Sequence, residues 1–357
     1  MTDTLAFSKF VERALYDPER GFYETGGRAG RSEGDFVTSP EVGPLFGAVL
    51  GRALDGWWDA RGRPDPFVVH EHGAGPGTLA RTVLVDPPAC APALRWVLIE
   101  RSAAQRDLHA AHLPHVGAPG GDAWDDAGAG PLVASAPTPP AGPAHVVVAN
   151  ELLDNLPFDL YERVDGAWHE VRVAGDPTAE VVVEPGADRA DDVAALDRLV
   201  PDAPAGARVP RQRAAADWLR AARASVAPGG RVLVLDYAST TAALARRPVA
   251  EWLRTYHRHG PGLGPLDAPG EQDVTVEVCL DQLVDAAGPP DVDESQADWL
   301  RRWGIDDLVA EGRASWEAGG PPLDVTTLRL RSRIAEAEVL LDPAGLGTFR
   351  VWEWRRR

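Results

Sequence analysis

The sequence predicts an α/β fold in which a mostly parallel, doubly wound sheet carries an N-terminal helical cap and an inserted β-hairpin with helices. Four runs, at 67–70, 96–99, 146–149 and 231–235, are mainly apolar without alternation, and helical patterns lie between them. Such runs are typical of parallel strands that are buried on both faces. Asp165-Gly166, between two further apolar segments, predicts a tight hairpin turn.

The first 60 residues are expected to form the cap. Residues 5–16 carry apolar side chains at helical spacing, and glycines then cluster from Gly21 to Gly34. Ser39-Pro40-Glu41 predicts the start of a second helix, which should continue to Trp57. The cap therefore carries the segment GDFVTSPE at residues 34–41.

The core is expected to comprise residues 61–357 and to hold two insertions. The first, 158–210, contains the hairpin, and its part from about residue 186 is acidic, rich in proline and expected at the surface. The second, 238–275, is rich in loops and is expected on the substrate side. The remaining expected elements are a strand near 180–184, helices at 280–287 and 296–310 and a last strand at 348–354.

Composition excludes several classes of function. The 357 residues carry a net charge of −18, which argues against sequence-blind binding to nucleic acid and to anionic membranes. Two cysteines are too few for a disulfide scaffold or a cysteine-based zinc site. His257 and His259 lack a suitably spaced third ligand, so no metal is expected. Without a signal-peptide pattern or a long apolar run, a cytoplasmic protein is expected.

A glycine loop follows the first predicted strand. Its pattern, G-x-G-x-G after an acidic strand end, is neither a nicotinamide-type G-x-G-x-x-G nor a phosphate-binding P-loop. It is typical of class I S-adenosylmethionine (SAM) methyltransferases, in which the backbone approaches the ligand and a helix N-terminus follows. The expected cofactor-binding residues of this loop are Glu71, Gly73, Gly75, Gly77 and Thr78.

Polar residues also end the next strands. Glu100 could accept hydrogen bonds from both ribose hydroxyls, Asp122 from the adenine amino group, and Trp124 could cover the adenine ring. The segment from Asn150 to Pro157 ends the 146–149 strand, where ligands bind in open α/β sheets. Its two acids and two amides are unfavourable unless they are solvated or bound to a ligand.

Together these motifs resemble the MidA-like (DUF185) family of SAM-dependent methyltransferases over nearly the whole chain. The segments that carry the resemblance are 16–23, 34–41, the glycine loop, Glu100 with Ser102, 150–157, Trp168 with Glu170, Asp236-Tyr237, 253–259, 270–275, Gln296, Gly304-Ile305 and 347–351. The resemblance implies a class I methyltransferase fold that uses SAM. The family includes a mitochondrial assembly factor that methylates a protein arginine, so a protein substrate with an exposed arginine is expected.

The resemblance also implies roles for individual residues. Glu151 and Asp154 are the candidates that would hold a guanidinium by bidentate hydrogen bonds, with Asn150 beside them. Asn150 and Ser39 are further candidates for cofactor binding. The candidates for substrate binding are Asp35, Glu41, Tyr256 and His259. The oligomeric state stays open, and a homodimer is compatible with the sequence.

Two departures from the family pattern keep other functions open. Ala74 and Pro76 replace the Pro and Arg of the family's glycine loop, and 276–280 reads Val-Glu-Val-Cys-Leu where the family has Ala-His-Val-Asp-Phe. The second departure lies on the substrate side. A small-molecule methyltransferase of secondary metabolism is therefore one alternative. A SAM-binding assembly chaperone without turnover is the other.

Overall fold

The computed structural model describes residues 4–27, 38–113, 116–120, 124–175, 178–257, 260–318 and 325–357. The chain divides into two compact units. The insertion unit comprises Met1–Gly27, Glu151–Ala224 and Asp236–Pro290, and the sheet unit comprises Arg28–Asn150, Ser225–Leu235 and Asp291–Arg357. This division differs from the boundary expected at residue 60, and the expected domain boundaries stay a prediction.

The strands of the described residues are numbered in chain order. They are β1 Thr4–Ala6, β2 Phe67–His72, β3 Leu94–Ile99, β4 Leu132–Ala136, β5 Ala144–Asn150, β6 Asp159–Val164, β7 Ala167–Gly175, β8 Thr178–Val183, β9 Arg208–Arg211, β10 Val226–Asp236, β11 Ala238–Ser239, β12 Leu253–His257, β13 Gly260–Pro261, β14 Asp273–Val276, β15 Val278–Cys279, β16 Val292–Ser295 and β17 Arg350–Arg355.

The α-helices are numbered in the same way. They are α1 Phe7–Tyr16, α2 Ser39–Val42, α3 Pro44–Ala60, α4 Thr78–Val85, α5 Ala103–Arg106, α6 His109–His112, α7 Ala190–Leu199, α8 Arg213–Ser225, α9 Thr241–Leu244, α10 Leu280–Ala287, α11 Gln296–Arg302, α12 Ile305–Ala318 and α13 Val325–Leu340.

The sheet unit is built on one sheet with the strand order β16-β17-β10-β5-β2-β3-β4. The pairs from β10 to β4 are parallel, whereas β16 and β17 are antiparallel. Chain order reverses between β2 and β5, which is the switch point of a doubly wound sheet. The four predicted apolar runs are therefore confirmed as its central strands, β2, β3, β5 and β10. This order and the mixed α/β layers are those of a class I methyltransferase.

Apolar side chains of α3 and α4 form one buried cluster with the sheet. Phe46, Val49 and Trp57 of α3 join Phe67 of β2 and Trp96 of β3 in it. Trp96 is fully buried. This cluster fixes β2 and β3, from whose carboxyl ends the glycine loop and Glu100 follow.

The single helix predicted from Ser39 to Trp57 is wrong in one respect, because it is two helices. α2 ends before Gly43 and α3 begins at Pro44. Proline has no N–H to donate and disfavours helical geometry at the preceding residue, so the chain turns there. The carboxylate of Glu336 accepts the N–H of Leu45 at 2.8 Å and stabilises the new helix start.

The insertion unit contains an antiparallel sheet in which β7 pairs with β1, β6 and β8, and β6 also pairs with β9. The hairpin predicted at Asp165-Gly166 is confirmed, and both turn residues have positive φ, +46° and +80°. A second sheet has the order β13-β12-β14. Its strands lie between residues 253 and 276, so the segment 238–275, which we predicted to be rich in loops, also contributes to a sheet.

The segment from residue 186 to 210 is exposed at many positions, as predicted, but the sequence analysis predicted no helix in it. It contains α7, whose Leu196 packs against Tyr161, Trp168 and Val209. Asp192 of α7 is fully buried and accepts hydrogen bonds from Tyr161 at 2.8 Å and Arg211 at 3.0 Å. Acidic composition suggested a solvated segment, whereas paired charges allow this acid to be buried.

Candidate active site

The glycine loop connects β2 to α4 through backbone geometry that favours glycine. Gly73, Gly75 and Gly77 have φ values of +66°, +52° and +84°. A Cβ placed on Gly75 would meet no atom within 4 Å, whereas one on Gly77 would lie 3.1 Å from Leu113. Gly77 is therefore required for close packing. Gly75 borders open space, as the backbone beside a bound ligand does.

Glu100 lies against this open position. The N–H of Gly75 donates to one carboxylate oxygen at 2.9 Å, and the N–H of Ser102 donates to the other at 2.8 Å. Glu100 is 8% exposed. A carboxylate oxygen has more than one lone pair and can accept more than one hydrogen bond, which is the chemistry that a ribose diol requires.

Glu71 is more deeply buried than is usual for an acid that contacts a ligand at the entrance of a binding site. Its carboxyl accepts the indole N–H of Trp96 at 2.7 Å. Burial raises its pKa to about 8, so it is largely protonated at neutral pH. Its bond to Trp96 ties the end of β2 to β3. Its expected contact with the cofactor stays a prediction.

The structure brings the segment 38–42 to the same loop. The hydroxyl of Thr78, the first residue of α4, donates to Glu41 at 2.6 Å. The hydroxyl of Ser39 is fully buried and donates to Gln296 at 2.8 Å. Glu41, expected on the substrate side, is therefore bonded to the start of the glycine-loop helix.

Two histidines that the sequence analysis did not single out hold the loop. His109 Nε2 lies 2.8 Å from the carbonyl oxygen of Gly75, and its Nδ1 lies 2.8 Å from the Ser135 hydroxyl. A carbonyl can only accept, so Nε2 carries the proton and Nδ1 accepts from Ser135. His112 Nδ1 likewise lies 2.8 Å from the carbonyl oxygen of Pro76. His109 and His112 lie three residues apart on a helix of four residues, and this spacing gave no sequence signal.

Trp124 packs against a small apolar cluster of the sheet unit formed by Val97, Ile99 and Ala136. Its carbonyl accepts a hydrogen bond from Arg95 Nε at 2.5 Å. This places Trp124 beside the ends of β3 and β4, where an adenine ring was expected. Asp122, Asp35 and His259, the other candidates predicted near the ligands, lie outside the described residues.

A second group of candidate residues follows β5, which ends at Asn150. Asn150 pairs with Leu235 of β10. Glu151 follows with φ of +51°, a left-handed conformation that is unfavourable for a non-glycine residue. Such strain persists where function requires a side chain to be aimed in a given direction. A short turn at Leu153–Asn155 then carries Asp154.

Within the insertion unit, Asp154 belongs to a group that we call the aspartate cluster: Asp154, Asn155, Asp236, Asp273 and Tyr23. Asp154 is 5% exposed and accepts the Thr275 hydroxyl at 2.7 Å. Asp236 accepts the N–H of Leu153 at 3.0 Å and that of Asp154 at 3.4 Å. Asp273 accepts the amide of Asn155 at 2.9 Å and lies 3.1 Å from the Tyr23 hydroxyl, which also approaches Asn155 at 3.1 Å.

The three aspartates repel one another. Burial raises the pKa of Asp154, and burial together with the charges of Asp154 and Glu151 raises that of Asp236. Burial and the charge of Asp154 raise the pKa of Asp273 to about 7. None of the three forms an ion pair with an arginine or lysine within the described ranges. The cluster therefore favours the approach of a cation.

Sequence analysis identified Asp154 but assigned no role to Asp236, Asp273 or Tyr23. Each lies in a segment that supported the family resemblance, and Asp236 directly ends the apolar run 231–235, the same signal that drew attention to Glu100. Tyr256, expected to bind substrate, is half-buried and pairs with Asp273 in the register of β12 and β14. Its expected role stays a prediction.

Comparisons with known proteins identify the chemistry. The family Methyltransf_28, described as S-adenosyl-L-methionine-dependent methyltransferases, matches residues 49–291. The chain belongs to this methyltransferase family. The enzyme uses SAM, and the open position at Gly75 beside Glu100 fits that ligand. SAM supplies an electrophilic methyl group on a positively charged sulfur.

Two sets of relatives support this conclusion. A crystal structure of a COG1565 superfamily protein from Burkholderia thailandensis, bound to S-adenosylhomocysteine, has 28% identity to the methyltransferase and a TM-score of 0.75 over 99% of this chain and 88% of that chain. The mitochondrial protein arginine methyltransferase NDUFAF7 of Rattus norvegicus is 25% identical over 97% of this chain and 79% of its own length. Its Drosophila melanogaster homologue is 30% identical over 48% of this chain and 42% of its own length.

No helix in the described part of the methyltransferase is both long and apolar enough to cross a membrane. Among the same residues, no group of three or more histidines, cysteines and acids could hold a metal ion.

Proposed function

We propose that this SAM-dependent methyltransferase transfers the methyl group to the guanidinium of an arginine in a protein. The observation that carries the proposal is the aspartate cluster, which buries Asp154, Asp236 and Asp273 without a described cationic partner. A guanidinium presents five N–H donors in a planar fork and keeps its charge at every physiological pH. It would offset the mutual repulsion of the three carboxylates and satisfy their oxygens.

Charge distribution supports a cationic substrate. The insertion unit, which contains the cluster, holds 28 acidic and 16 basic residues, whereas the larger sheet unit holds 26 and 20. Two-thirds of the net charge of −18 therefore belongs to the smaller unit. An acidic surface raises the rate at which a basic segment arrives, an effect that salt weakens.

In this proposal each group has a defined task. Gly75 and Glu100 bind SAM, and Glu151 and Asp154 hold the guanidinium by paired hydrogen bonds. Fixing the attacking nitrogen in line with the methyl group is the main contribution expected of these residues, and orientation is worth roughly 7–11 kcal/mol in favourable cases. As the new carbon–nitrogen bond forms, the carbon–sulfur bond of SAM breaks and S-adenosylhomocysteine leaves, and the proton lost from the attacking nitrogen passes to one of these carboxylates. We propose a cytoplasmic location, which cell fractionation tests.

The departure at 276–280 does not favour the small-molecule alternative. Glu277 is paired with Arg247 at 2.6 Å and with Arg254 at 2.9 Å, and Cys279 is fully buried. Asp281, next in the chain, accepts the hydroxyl and the N–H of Thr241 at the start of α9. The altered residues are thus accommodated by partners within the insertion unit.

Labelling tests the proposal. Purified protein and SAM labelled on the methyl group are added to an extract of a strain that lacks this chain, and labelled proteins are digested for mass spectrometry. We expect label on arginine side chains. Label confined to small molecules would support the alternative methyltransferase. Tight SAM binding with no transfer to any acceptor would support the chaperone.

A further inference from the structure

Glu41 lies against the start of α4, directly after the glycine loop. The hydroxyl of Thr78, the first residue of α4, donates to Glu41 Oε1 at 2.6 Å. Thr78 is 6% exposed, whereas Glu41 is only half-buried. A buried donor therefore holds one oxygen of a carboxylate that is itself not fully enclosed by the protein.

The segment that carries Glu41 is fixed by its neighbours in α2. The Ser39 hydroxyl donates to Gln296 Oε1 at 2.8 Å, and both side chains are fully buried. The amide of Gln296 in turn donates to the carbonyl oxygen of Leu340 at 3.3 Å. Val42 is 2% exposed and belongs to the apolar cluster of the sheet unit. The position of Glu41 therefore does not depend on its bond to Thr78 alone.

Three acids of the sheet unit lie along the glycine loop, and they differ in what they can bind. Glu71 is bonded to the indole of Trp96, and burial raises its pKa to about 8, so at neutral pH it is a poor partner for a cation. Glu100 accepts two backbone N–H groups. Glu41 accepts a neutral hydroxyl and, among the residues that the structure describes, forms no ion pair with a basic side chain. Of the three, Glu41 is the acid best suited to a cationic part of a ligand.

SAM has two groups that a carboxylate binds well. One is the ribose diol, and the other is the α-ammonium of its methionine part. They lie in different parts of the molecule, so a site that binds both through carboxylates needs two acids. Glu100 and Glu41 are bonded to Gly75 and Thr78, which are three residues apart on the same loop.

We infer that Glu41 binds the α-ammonium of SAM and that Thr78 holds the carboxylate in place for it. An ammonium has three N–H donors, and a hydrogen bond between two charged groups is stronger than one between neutral groups. The inference assigns Glu41 to the cofactor and not to the substrate side, where the sequence analysis expected it. It concerns SAM alone and does not depend on which acceptor receives the methyl group.

Titration calorimetry with two ligands tests this role. S-adenosylhomocysteine has no charge on its sulfur, so the α-ammonium is its only cation at neutral pH. 5′-Methylthioadenosine has the same adenine and ribose but no amino-acid part. Glu41→Gln removes the charge, yet its amide oxygen can still accept the Thr78 hydroxyl. We expect this variant to bind S-adenosylhomocysteine about 10- to 50-fold more weakly and 5′-methylthioadenosine within about twofold of the wild type.

Further variants separate this role from general damage. Thr78→Val should weaken binding of S-adenosylhomocysteine by about 3- to 10-fold, and Thr78→Ser, which keeps the donor, should restore most of it. Glu100→Gln should weaken binding of both ligands, because both contain the ribose. Asp281 is a matched control, since it accepts the hydroxyl of Thr241 at the start of α9 at 2.9 Å. Asp281→Asn should leave both affinities unchanged.

The amino group itself is tested by the analogue of S-adenosylhomocysteine that lacks it. Wild type and Glu41→Gln should bind this analogue equally. Equal losses of affinity for S-adenosylhomocysteine and 5′-methylthioadenosine in Glu41→Gln would show that Glu41 only stabilises the start of α4, and would overturn the inference. Unchanged binding of S-adenosylhomocysteine would also overturn it. A loss confined to SAM would do the same, because it would assign the charge of Glu41 to the sulfonium.

Discussion

Asp154 illustrates how one residue can be assigned a function only when its surroundings are known. In the sequence it could cap a following helix, but in the structure it lies in a short turn without a capping bond and accepts the Thr275 hydroxyl. Its charge is therefore not used to begin a helix. A buried charge without such a structural use is unfavourable unless a substrate compensates it.

The first prediction follows from this environment. Asp154→Asn keeps the shape of the side chain but removes its charge, so turnover should fall by at least about 10²-fold. SAM affinity should hardly change, and the melting temperature should not fall. Methyl transfer, calorimetric SAM titration and thermal unfolding on this variant check all three. A fully active variant would show that the charge of Asp154 has no role in catalysis.

The second prediction concerns Gly75 and Glu100. Gly75→Val would fill the open position beside Glu100 and should abolish SAM binding without unfolding the core. Glu100→Ala should weaken binding by about 1–3 kcal/mol through lost hydrogen bonds. Isothermal titration with SAM measures both. Gly51→Ala, on the α3 face where a Cβ meets only ordinary contact with Pro88 at 3.6 Å, is the control and should bind normally.

At the scale of elements, the glycine loop is held by a helix of only four residues. α6 places His109 and His112 against the carbonyls of Gly75 and Pro76. Short helices are only marginally stable by themselves. The role of α6 is therefore to place the ring N–H donors of these two histidines against the loop. The loop conformation thus depends on a part of the chain that lies 34 to 36 residues away.

The third prediction tests this support. His109→Leu leaves the Gly75 carbonyl and the Ser135 hydroxyl without their partner, so SAM affinity should fall by about 1–3 kcal/mol and the melting temperature should decrease. His145 is a matched control, because its Nδ1 accepts the N–H of Val68 at 2.9 Å near the other end of β2. His145→Leu should lower the melting temperature but leave SAM affinity unchanged. Equal losses of affinity would contradict a specific role for His109.

Elements also show the limits of sequence analysis. The central strands were predictable because burial on both faces requires continuous apolar runs, and the hairpin was predictable because Asp165-Gly166 supplies two positive φ values. The break at Gly43, helix α7 and the β13-β12-β14 sheet were not predicted. In each of these, tertiary partners such as Glu336 or Arg211 satisfy groups that the local sequence leaves open.

The residues of the candidate site likewise fall into those that could be predicted from the sequence and those that could not. Gly75, Glu100 and Asp154 could be predicted because they lie within four residues of the ends of β2, β3 and β5. Asp273 and Tyr23 could not, since they are more than 100 residues from Asn155, which they contact. No periodic pattern reports a contact at that separation.

At the scale of the whole molecule, the buried acids make stability depend on pH. The pKa of Asp273 is raised to about 7 in the folded state, above its value of about 3.9 in unfolded chains. The folded state therefore binds more protons between about pH 4 and pH 7. Its stability contribution is complete below that window and is lost as the pH rises through it. Glu71, with a pKa of about 8, acts in the same direction.

The fourth prediction uses this sign. The melting temperature of the wild type should fall as the pH is raised from 5 to 8, and Asp273→Asn should reduce that fall by a few degrees. Scanning calorimetry at several pH values measures it. The exposed Asp217 is the control, and Asp217→Asn should reproduce the wild-type slope. A wild-type melting temperature that rises across this range would contradict the assignment of buried, protonated acids.

Amino-acid analysis of the methylated product tests the central claim most directly. Wild type and Asp154→Asn are each incubated with methyl-labelled SAM and the protein extract of a strain lacking this chain, and the labelled protein is hydrolysed in acid. The account predicts label in methylarginine with the wild type and at least a 10²-fold loss of that label with Asp154→Asn. Label in another amino acid, or equal methylarginine from both proteins, would contradict it.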